Sequence, residues 1–154
     1  MFTILIVDGS TTFRELLRES LTARFPFIRV DEAPDAKTGI EKVGTSHSHL
    51  IFLDIHLPDE NGLDLTRRIK HLCPASTVVV FTTYDLPEYR IAAFQAGADH
   101  FASKDSWSGE EINRLVDIEM ITRKKEQTLQ FDDIPLNRNV MINSPTIDQK
   151  PVSK

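Results

Sequence analysis

Short apolar runs alternate along the chain with segments in which apolar side chains recur at helical spacing. The runs at 3–7, 50–53 and 77–82 are almost continuously apolar, which is typical of strands buried on both faces of a sheet. The run at 28–33 is more polar and predicts an edge strand, and 98–103 predicts a fifth strand. A predicted helix follows each run, so the pattern indicates five βα units.

The first and fourth of these helices have the clearest end signals. Thr12 followed by Glu15 predicts a capping box at the start of the first helix, whose apolar face includes Phe13 and Leu16. Pro87 predicts the first turn of the fourth helix. Gly97 suits the C-terminal cap of that helix, because glycine readily adopts left-handed backbone angles.

This alternation predicts an α/β fold, flavodoxin-like and doubly wound as (βα)5, with a five-stranded parallel sheet in the order 2-1-3-4-5. The first and third strands then lie side by side, so the aspartates that follow them, Asp8 and Asp54, become neighbours. Thr82 and Lys104 end the fourth strand and follow the fifth. We therefore expect four polar side chains at one edge of the sheet, where such folds bind ligands.

Composition limits the class of protein. The chain has 154 residues and a formal net charge of -5, with no dense Lys/Arg block, which argues against direct contact with nucleic acid. No stretch approaches the roughly 18 apolar residues of a membrane span. Cys73 is the only cysteine, as expected in a reducing compartment. These features predict a cytoplasmic protein without a membrane segment.

The pattern changes near residue 123. Residues 124–154 contain three prolines and scattered single apolar residues without a period, which predicts a flexible C-terminal tail. The well-patterned helices of a helix-turn-helix module are missing from this segment. We therefore predict one domain over 1–123, and a tail without a DNA-binding output domain.

The four strand-end side chains predict phosphoryl chemistry. A carboxylate is a weak nucleophile and a phosphoryl donor is negative, so attack by Asp54 needs cations that offset the repulsion. Mg²⁺ held partly by Asp8 would supply one positive charge centre, and Lys104 would supply another. The Thr82 hydroxyl would donate to the arrived group, and Phe101 would fill the space that Thr82 leaves.

These residues resemble the receiver (CheY-like) domains of bacterial two-component response regulators. The resemblance covers about residues 3–122, and its motifs, in chain order, are Ile4-Leu5-Ile6-Val7-Asp8, Leu53-Asp54-Ile55-His56-Leu57-Pro58, Asn61-Gly62, Phe81-Thr82, Ala96-Gly97-Ala98 and Lys104. It implies that a histidine kinase phosphorylates Asp54 and that Lys104 contacts the phosphoryl group. It also implies that Thr82 and Phe101 form a switch pair and that the backbone carbonyl of His56 binds the metal.

One departure from the family pattern concerns the metal. Similar receivers usually have two adjacent acidic residues after the first strand, whereas Gly9 follows Asp8 here, so we expect weakened Mg²⁺ binding. Three outcomes are open: Asp8 shifts to bind the metal directly, which we favour, or Glu60 reaches in from the next loop, or the domain works without phosphorylation.

A second departure concerns the lifetime of the phosphorylated state. In similar receivers, side chains at the positions of His56, Thr83 and Tyr84 gate the attacking water. Thr83 is bulkier than the small residue usual there, so we expect slow loss of the phosphoryl group.

The function predicted from the sequence is a stand-alone receiver that is not itself an enzyme, although it takes part in its own phosphorylation and dephosphorylation. A histidine kinase or phosphotransfer protein is the expected donor. A downstream protein or a second copy of the chain is expected on the face formed by the fourth helix, fifth strand and fifth helix, where we place Arg90, Ile91, Phe94, Phe101 and Trp107.

Two alternatives stay open. One is a phosphorylation-independent interaction module on the same fold. The other is an aspartate-nucleophile phosphohydrolase with Asp8 as nucleophile, because Asp8-Gly9-Ser10-Thr11-Thr12 faintly resembles the opening motif of those enzymes. Ser10 weakens the second alternative, since a hydroxyl cannot replace the general acid expected at that position.

Overall fold

A computed structural model describes residues 1–131 and 148–149, and within these residues strands and helices alternate as the apolar pattern predicts. The strands are β1 (Thr3–Val7), β2 (Arg29–Ala33), β3 (Leu50–Leu53), β4 (Thr77–Thr82), β5 (His100–Ser103) and β6 (Asp148–Gln149). The helices are α1 (Thr11–Arg24), α2 (Ala36–Thr45), α3 (Gly62–Leu72), α4 (Pro87–Gln95) and α5 (Gly109–Phe131).

The described strands form one sheet in the order β2-β1-β3-β4-β5-β6. The first five strands are parallel, so the predicted fold and strand order are confirmed, and β2 lies at an edge as its polar sequence indicates. The two-residue strand β6 adds an antiparallel pairing on β5, with Gln149 opposite His100, and was not predicted.

Two apolar layers cover the two faces of the sheet. Alternate strand residues point to opposite faces, so Val7 packs with Val80 and Phe101 on the side of α2, α3 and α4, whereas Ile6 packs with Phe81 on the side of α1 and α5. The three central strands are buried along both faces, as their unbroken apolar runs require. Burial of these strands fixes the positions of the residues at their carboxyl-terminal ends.

The start of α1 differs from the prediction. Ser10 is the N-cap, and its Oγ accepts a hydrogen bond from the backbone N–H of Phe13 at 3.2 Å. The capping box at Thr12 and Glu15 is therefore wrong, because the helix already begins at Thr11. Leu16, which we placed on the apolar face, is 61% exposed.

Helix α5 extends past the boundary predicted near residue 123 and ends at Phe131. The first part of the predicted tail is thus helical. The rest of the tail, at 132–147 and 150–154, lies outside the described residues, and the prediction that the tail carries no DNA-binding module stays a prediction. In the part of the chain that the structure describes, no helix has the length and apolar character needed to span a bilayer.

A buried charged cluster joins α5 to the amino-terminal end of β4. The Thr77 hydroxyl donates to Oε2 of Glu119 at 2.9 Å, and Nε of Arg123 lies 3.6 Å from the same oxygen. Arg123 also donates to the backbone carbonyls of His49 and Ala75. Burial raises the pKa of the Glu119 carboxyl, and the Thr77 hydrogen bond and the Arg123 charge offset only part of that effect.

Candidate functional site

Asp8 and Asp54 lie side by side at the ends of β1 and β3. The pairing of Val7 with Leu53 sets this position, and the backbone N–H of Asp54 donates to the Val7 carbonyl at 3.0 Å. Asp8 is 2% exposed, and its Oδ1 accepts from the backbone N–H of Ser10 at 2.8 Å. The side chain of Asp54 is 14% exposed, so it is the carboxylate that a ligand reaches more easily.

Lys104 bridges the two carboxylates. Its backbone N–H donates to the Thr82 carbonyl at 2.9 Å, which fixes the residue at the end of β5. Its ammonium Nζ lies 2.5 Å from Oδ2 of Asp8 and 3.2 Å from Oδ2 of Asp54. The predicted meeting of these three side chains is confirmed. One positive charge stands between two negative charges, so the trio carries a net negative charge.

Thr82 and Phe101 are both fully buried. The Thr82 Oγ1 accepts from the backbone N–H of Tyr84 at 3.2 Å. The Phe101 ring is 1% exposed and packs in the core beneath α4, and the guanidinium carbon of Arg90 lies 5.8 Å from its centroid. The Phe101 ring therefore already occupies the buried position that the predicted switch would give it. The switch role of Thr82 and Phe101 stays a prediction.

Gly9 opens onto a shallow cleft of about 490 Å³, lined also by Ile55, His56, Pro58 and Glu60. A Cβ built on Gly9 would lie 3.4 Å from Cδ of Pro58, an ordinary contact, so the position has room for a Cβ atom. The prediction that Glu60 reaches into the metal site is not what the contacts show. Nη1 of Arg68 donates to both carboxylate oxygens of Glu60, at 2.8 and 2.7 Å. Glu60 lines the cleft, but its charge is paired outward.

Gly62 explains the tight loop after Asp54. A Cβ at residue 62 would lie 2.0 Å from the backbone oxygen of Asp54, which no side chain tolerates. Asn61 caps α3 by accepting from the Leu63 N–H at 2.7 Å, and the Gly62 N–H donates to the Ile55 carbonyl at 2.7 Å. These contacts hold the backbone of the loop that contains His56 against the site.

An aromatic cluster lies next to this loop. The His56 ring centroid is 4.5 Å from that of Tyr84 and 5.8 Å from that of Tyr89, both in edge-on geometry. His56, Thr83 and Tyr84 are exposed, and their role in gating water stays a prediction. Tyr89 was not predicted. Its position in the first turn of α4, two residues after Pro87, was the available signal.

Sequence reasoning also missed two residues at the start of α1. Arg14 donates through Nη1 to the backbone carbonyl of Asp8 at 2.6 Å, and through Nε to Glu32 at 3.2 Å. The Phe13 ring lies under the Lys104 ammonium, with Nζ 4.0 Å from the ring centroid. Helical spacing indicates only a core position for Phe13, since it does not show which polar group a ring contacts.

The predicted metal ligands are of the chemical type that binds a magnesium ion. The predicted ligands are the carboxylates of Asp8 and Asp54 and the backbone carbonyl of His56. They are hard oxygen groups of the kind that Mg²⁺ prefers, and their metal-binding role stays a prediction. Among the described residues, however, no group of three or more His, Cys, Asp or Glu side chains is arranged to hold a metal. Gly9 stands where a further carboxylate would complete the set, so the ligands fit but are few.

The face predicted to meet partners exposes fewer of the named residues than expected. Ile91 on α4 is 57% exposed. Phe94, Phe101 and Trp107 are buried, so their placement on a contact surface is wrong. Leu86, just before α4, and Tyr84 are large hydrophobic residues near α4 that are also exposed.

Comparison with known proteins identifies the class. The family described as "Response regulator receiver domain" matches residues 4–117, most of the chain. Together with the parallel sheet and the Asp8, Asp54 and Lys104 trio, this match shows that the chain belongs to the response regulator receiver family. Receiver domains generally bind Mg²⁺ at the phosphorylation site and interact with histidine kinases or phosphotransfer proteins, and they are not an enzyme family in the usual sense.

Curated relatives are longer than this chain. It is 33% identical over 114 residues to the sensory transduction protein LytT of Enterococcus faecalis, covering 74% of this chain and 46% of LytT. It is 34% identical over 115 residues to the KDP operon transcriptional regulatory protein KdpE of Escherichia coli, covering 75% of this chain and 50% of KdpE. The chain therefore spans about half the length of these relatives.

Solved structures give the same fold. A CheY-like receiver domain protein from Methanospirillum hungatei aligns with a TM-score of 0.74 and 26% identity, covering 82% of this chain and 98% of that one. The BeF3-activated receiver domain of DrrB aligns with a TM-score of 0.70 and 25% identity, covering 78% of this chain and 97% of that one.

Proposed function

We propose that this receiver domain accepts a phosphoryl group on Asp54 from a histidine kinase or phosphotransfer protein. The observation that carries the proposal is the position of Lys104, whose ammonium is 3.2 Å from the Asp54 carboxylate and ready to meet a phosphoryl oxygen. Asp54 is also the more accessible of the two carboxylates.

In the transfer step, an Asp54 carboxylate oxygen attacks phosphorus and forms a new P–O bond. The P–N bond of the phosphohistidine breaks, and the imidazole leaves with its electron pair and takes up a proton. The Lys104 ammonium neutralises one phosphoryl oxygen. The Thr82 hydroxyl moves away from the Tyr84 N–H and donates a hydrogen bond to a second phosphoryl oxygen. Asp8, His56 and Asp54 would hold Mg²⁺, which supplies further charge neutralisation when bound.

The signal then passes to the face formed by α4, β5 and α5. Thr82 ends β4 next to Tyr84, and the exposed side chains of Tyr84, Leu86 and Ile91 follow along the loop and α4. A downstream protein or a second copy of the chain is the proposed target there. Action as a stand-alone receiver in the cytoplasm, without direct contact with nucleic acid, stays a prediction.

Intact-mass measurement after incubation with acetyl phosphate and Mg²⁺ tests the proposal. Wild-type protein should gain the mass of one phosphoryl group, and Asp54→Asn should not. Asp64→Asn is the matched control, because Asp64 is an exposed carboxylate on α3 outside the site. Wild-type protein that stays unmodified at saturating magnesium would contradict the proposal.

One observation favours a second candidate, the phosphorylation-independent interaction module. Lys104 offsets part of the charge on both aspartates through contacts within the chain, and Gly9 supplies no metal ligand. Partner binding that persists unchanged in Asp54→Ala would support this candidate. The phosphohydrolase alternative is disfavoured, because the Asp8 carboxylate that would act as nucleophile is buried and forms an ion pair with Lys104.

A further inference from the structure

The Lys104 ammonium has a third neighbour besides the two carboxylates. Its Nζ lies 4.0 Å from the centroid of the Phe13 ring, a distance at which a cation is attracted by the electron-rich face of the ring. The Lys104 side chain is 11% exposed, so water competes little for the ammonium. The Lys104 ammonium is therefore held by three contacts, to Asp8, to Asp54 and to the Phe13 ring.

The position of the ring is itself fixed. The backbone N–H of Phe13 donates to the Ser10 side chain, which sets the residue within the first turn of α1. The ring packs against Phe81 at 5.5 Å between centroids, and Phe81 in turn lies 5.4 Å from Trp107. Contacts from the helix cap and from the apolar layer therefore hold Phe13 in a defined place.

A neutral ring has an advantage over a carboxylate in this position. A third acidic group would hold Lys104 equally well, but it would add negative charge to a site that must receive an anionic phosphoryl group. An aromatic face attracts the ammonium through its quadrupole and carries no net charge. The ring can thus steady Lys104 while leaving the site less repulsive to the incoming group.

We propose that Phe13 is a positioning residue for Lys104, holding the ammonium through a cation–π contact where it meets the phosphoryl group on Asp54. This inference rests on the proposed function and deepens it. Loss of the aromatic face should slow phosphoryl uptake by about 2- to 30-fold, the range that cation–π contacts of this kind give.

Stepwise fluorination of Phe13 tests the proposal with little change in shape. Monofluoro-, difluoro- and trifluorophenylalanine withdraw electrons from the ring face progressively, so uptake from acetyl phosphate should slow at each step while the shape of the ring changes little. The same series at Phe2 is the matched control, because Phe2 is a half-buried ring that stacks on His49 at the other end of β1. A flat rate across the Phe13 series would overturn the proposal.

A second readout needs no phosphoryl donor. Exchange of the Lys104 ammonium protons with water, measured by nitrogen-15 NMR, should become faster at each step of the Phe13 series. Unchanged exchange would overturn the positioning role even if Asp54 is phosphorylated normally. Faster exchange in a protein that never takes up phosphate would support the positioning role and refute the proposed function instead.

A Lys104→Gln background separates positioning from general packing. If Phe13 acts through the ammonium, fluorination in this background should leave the remaining uptake rate unchanged. An equal slowing in both backgrounds would assign Phe13 a packing role only and overturn the inference.

Discussion

Lys104 and Asp8 form a nearly buried ion pair, with 2.5 Å between Nζ and Oδ2 and side chains that are 11% and 3% exposed. Asp8 also accepts one backbone hydrogen bond from Ser10, but Lys104 is the cation that contacts its carboxylate. The same ammonium reaches Asp54. The stability of the site and its chemistry therefore depend on one lysine.

Replacing Lys104 by alanine should lower the free energy of unfolding by about 3 kcal/mol, because it leaves a buried carboxylate without its partner. Added Mg²⁺ should restore more stability to this variant than it adds to the wild type, since the two carboxylates no longer share an ammonium. Denaturant unfolding with and without magnesium measures both effects. Lys125→Ala, at an exposed position on α5, is the control. A Lys104→Ala protein as stable as the wild type would contradict this account.

Gly9→Asp should lower the magnesium concentration that gives half-maximal phosphoryl uptake, by about tenfold, because it adds a carboxylate directly after Asp8. The Cβ of the new side chain would make only an ordinary contact with Pro58. Gly9→Ala is the control, since it adds the Cβ without the charge. Equal magnesium requirements in all three proteins would show that the missing carboxylate is not what limits metal binding.

Thr83→Ala should shorten the lifetime of the phosphorylated state several-fold. Thr83 is exposed beside Tyr84 at the end of β4, and a smaller side chain there opens a path for the attacking water. Decay of the phosphoryl adduct, followed by intact mass after the donor is removed, gives the lifetime. A wild-type lifetime of seconds that Thr83→Ala leaves unchanged would count against the gating role.

Glu119→Gln should stabilise the protein increasingly as pH rises. Because burial raises the folded-state pKa of Glu119, its favourable contribution is complete below the unfolded pKa and is lost as pH rises through the folded pKa. Glutamine does not ionise, and it still accepts the Thr77 hydrogen bond. Asp99 and Glu126 add to the repulsion of the ionised form, while Arg123 opposes it.

Melting temperatures of wild type and Glu119→Gln across the acidic to neutral range check this expectation. The two curves should diverge as pH rises, with the variant higher at neutral pH. Glu19→Gln, at an exposed position on α1, should follow the wild type closely. Parallel curves for wild type and Glu119→Gln would show that the carboxyl is not destabilised by burial.

The parts of this structure that follow from local pattern could be predicted from the sequence. Continuous apolar runs indicate buried parallel strands, and the right-handed crossover rule then brings Asp8 and Asp54 together, with Lys104 at the same edge. Gly97 caps α4 with a positive φ of 104°, as its position indicates.

Features that depend on tertiary contact could not be predicted in this way. Ser10 rather than Thr12 caps α1, because the direction of the chain after Asp8 decides which hydroxyl meets a free N–H. The exposure of Leu16 and the contact between Phe13 and Lys104 depend on how α1 lies on the sheet. The pairing of β6 with β5 joins residues too far apart in sequence for any local signal.

The central claim is that Asp54 is the residue that receives the phosphoryl group, and reductive trapping tests it most directly. Borohydride converts an aspartyl phosphate to homoserine, and peptide mass spectrometry then locates the converted residue. After incubation with acetyl phosphate and Mg²⁺, the account predicts homoserine at position 54, with Asp8 unchanged. Homoserine at position 8, or phosphoryl uptake with no conversion at position 54, would contradict it.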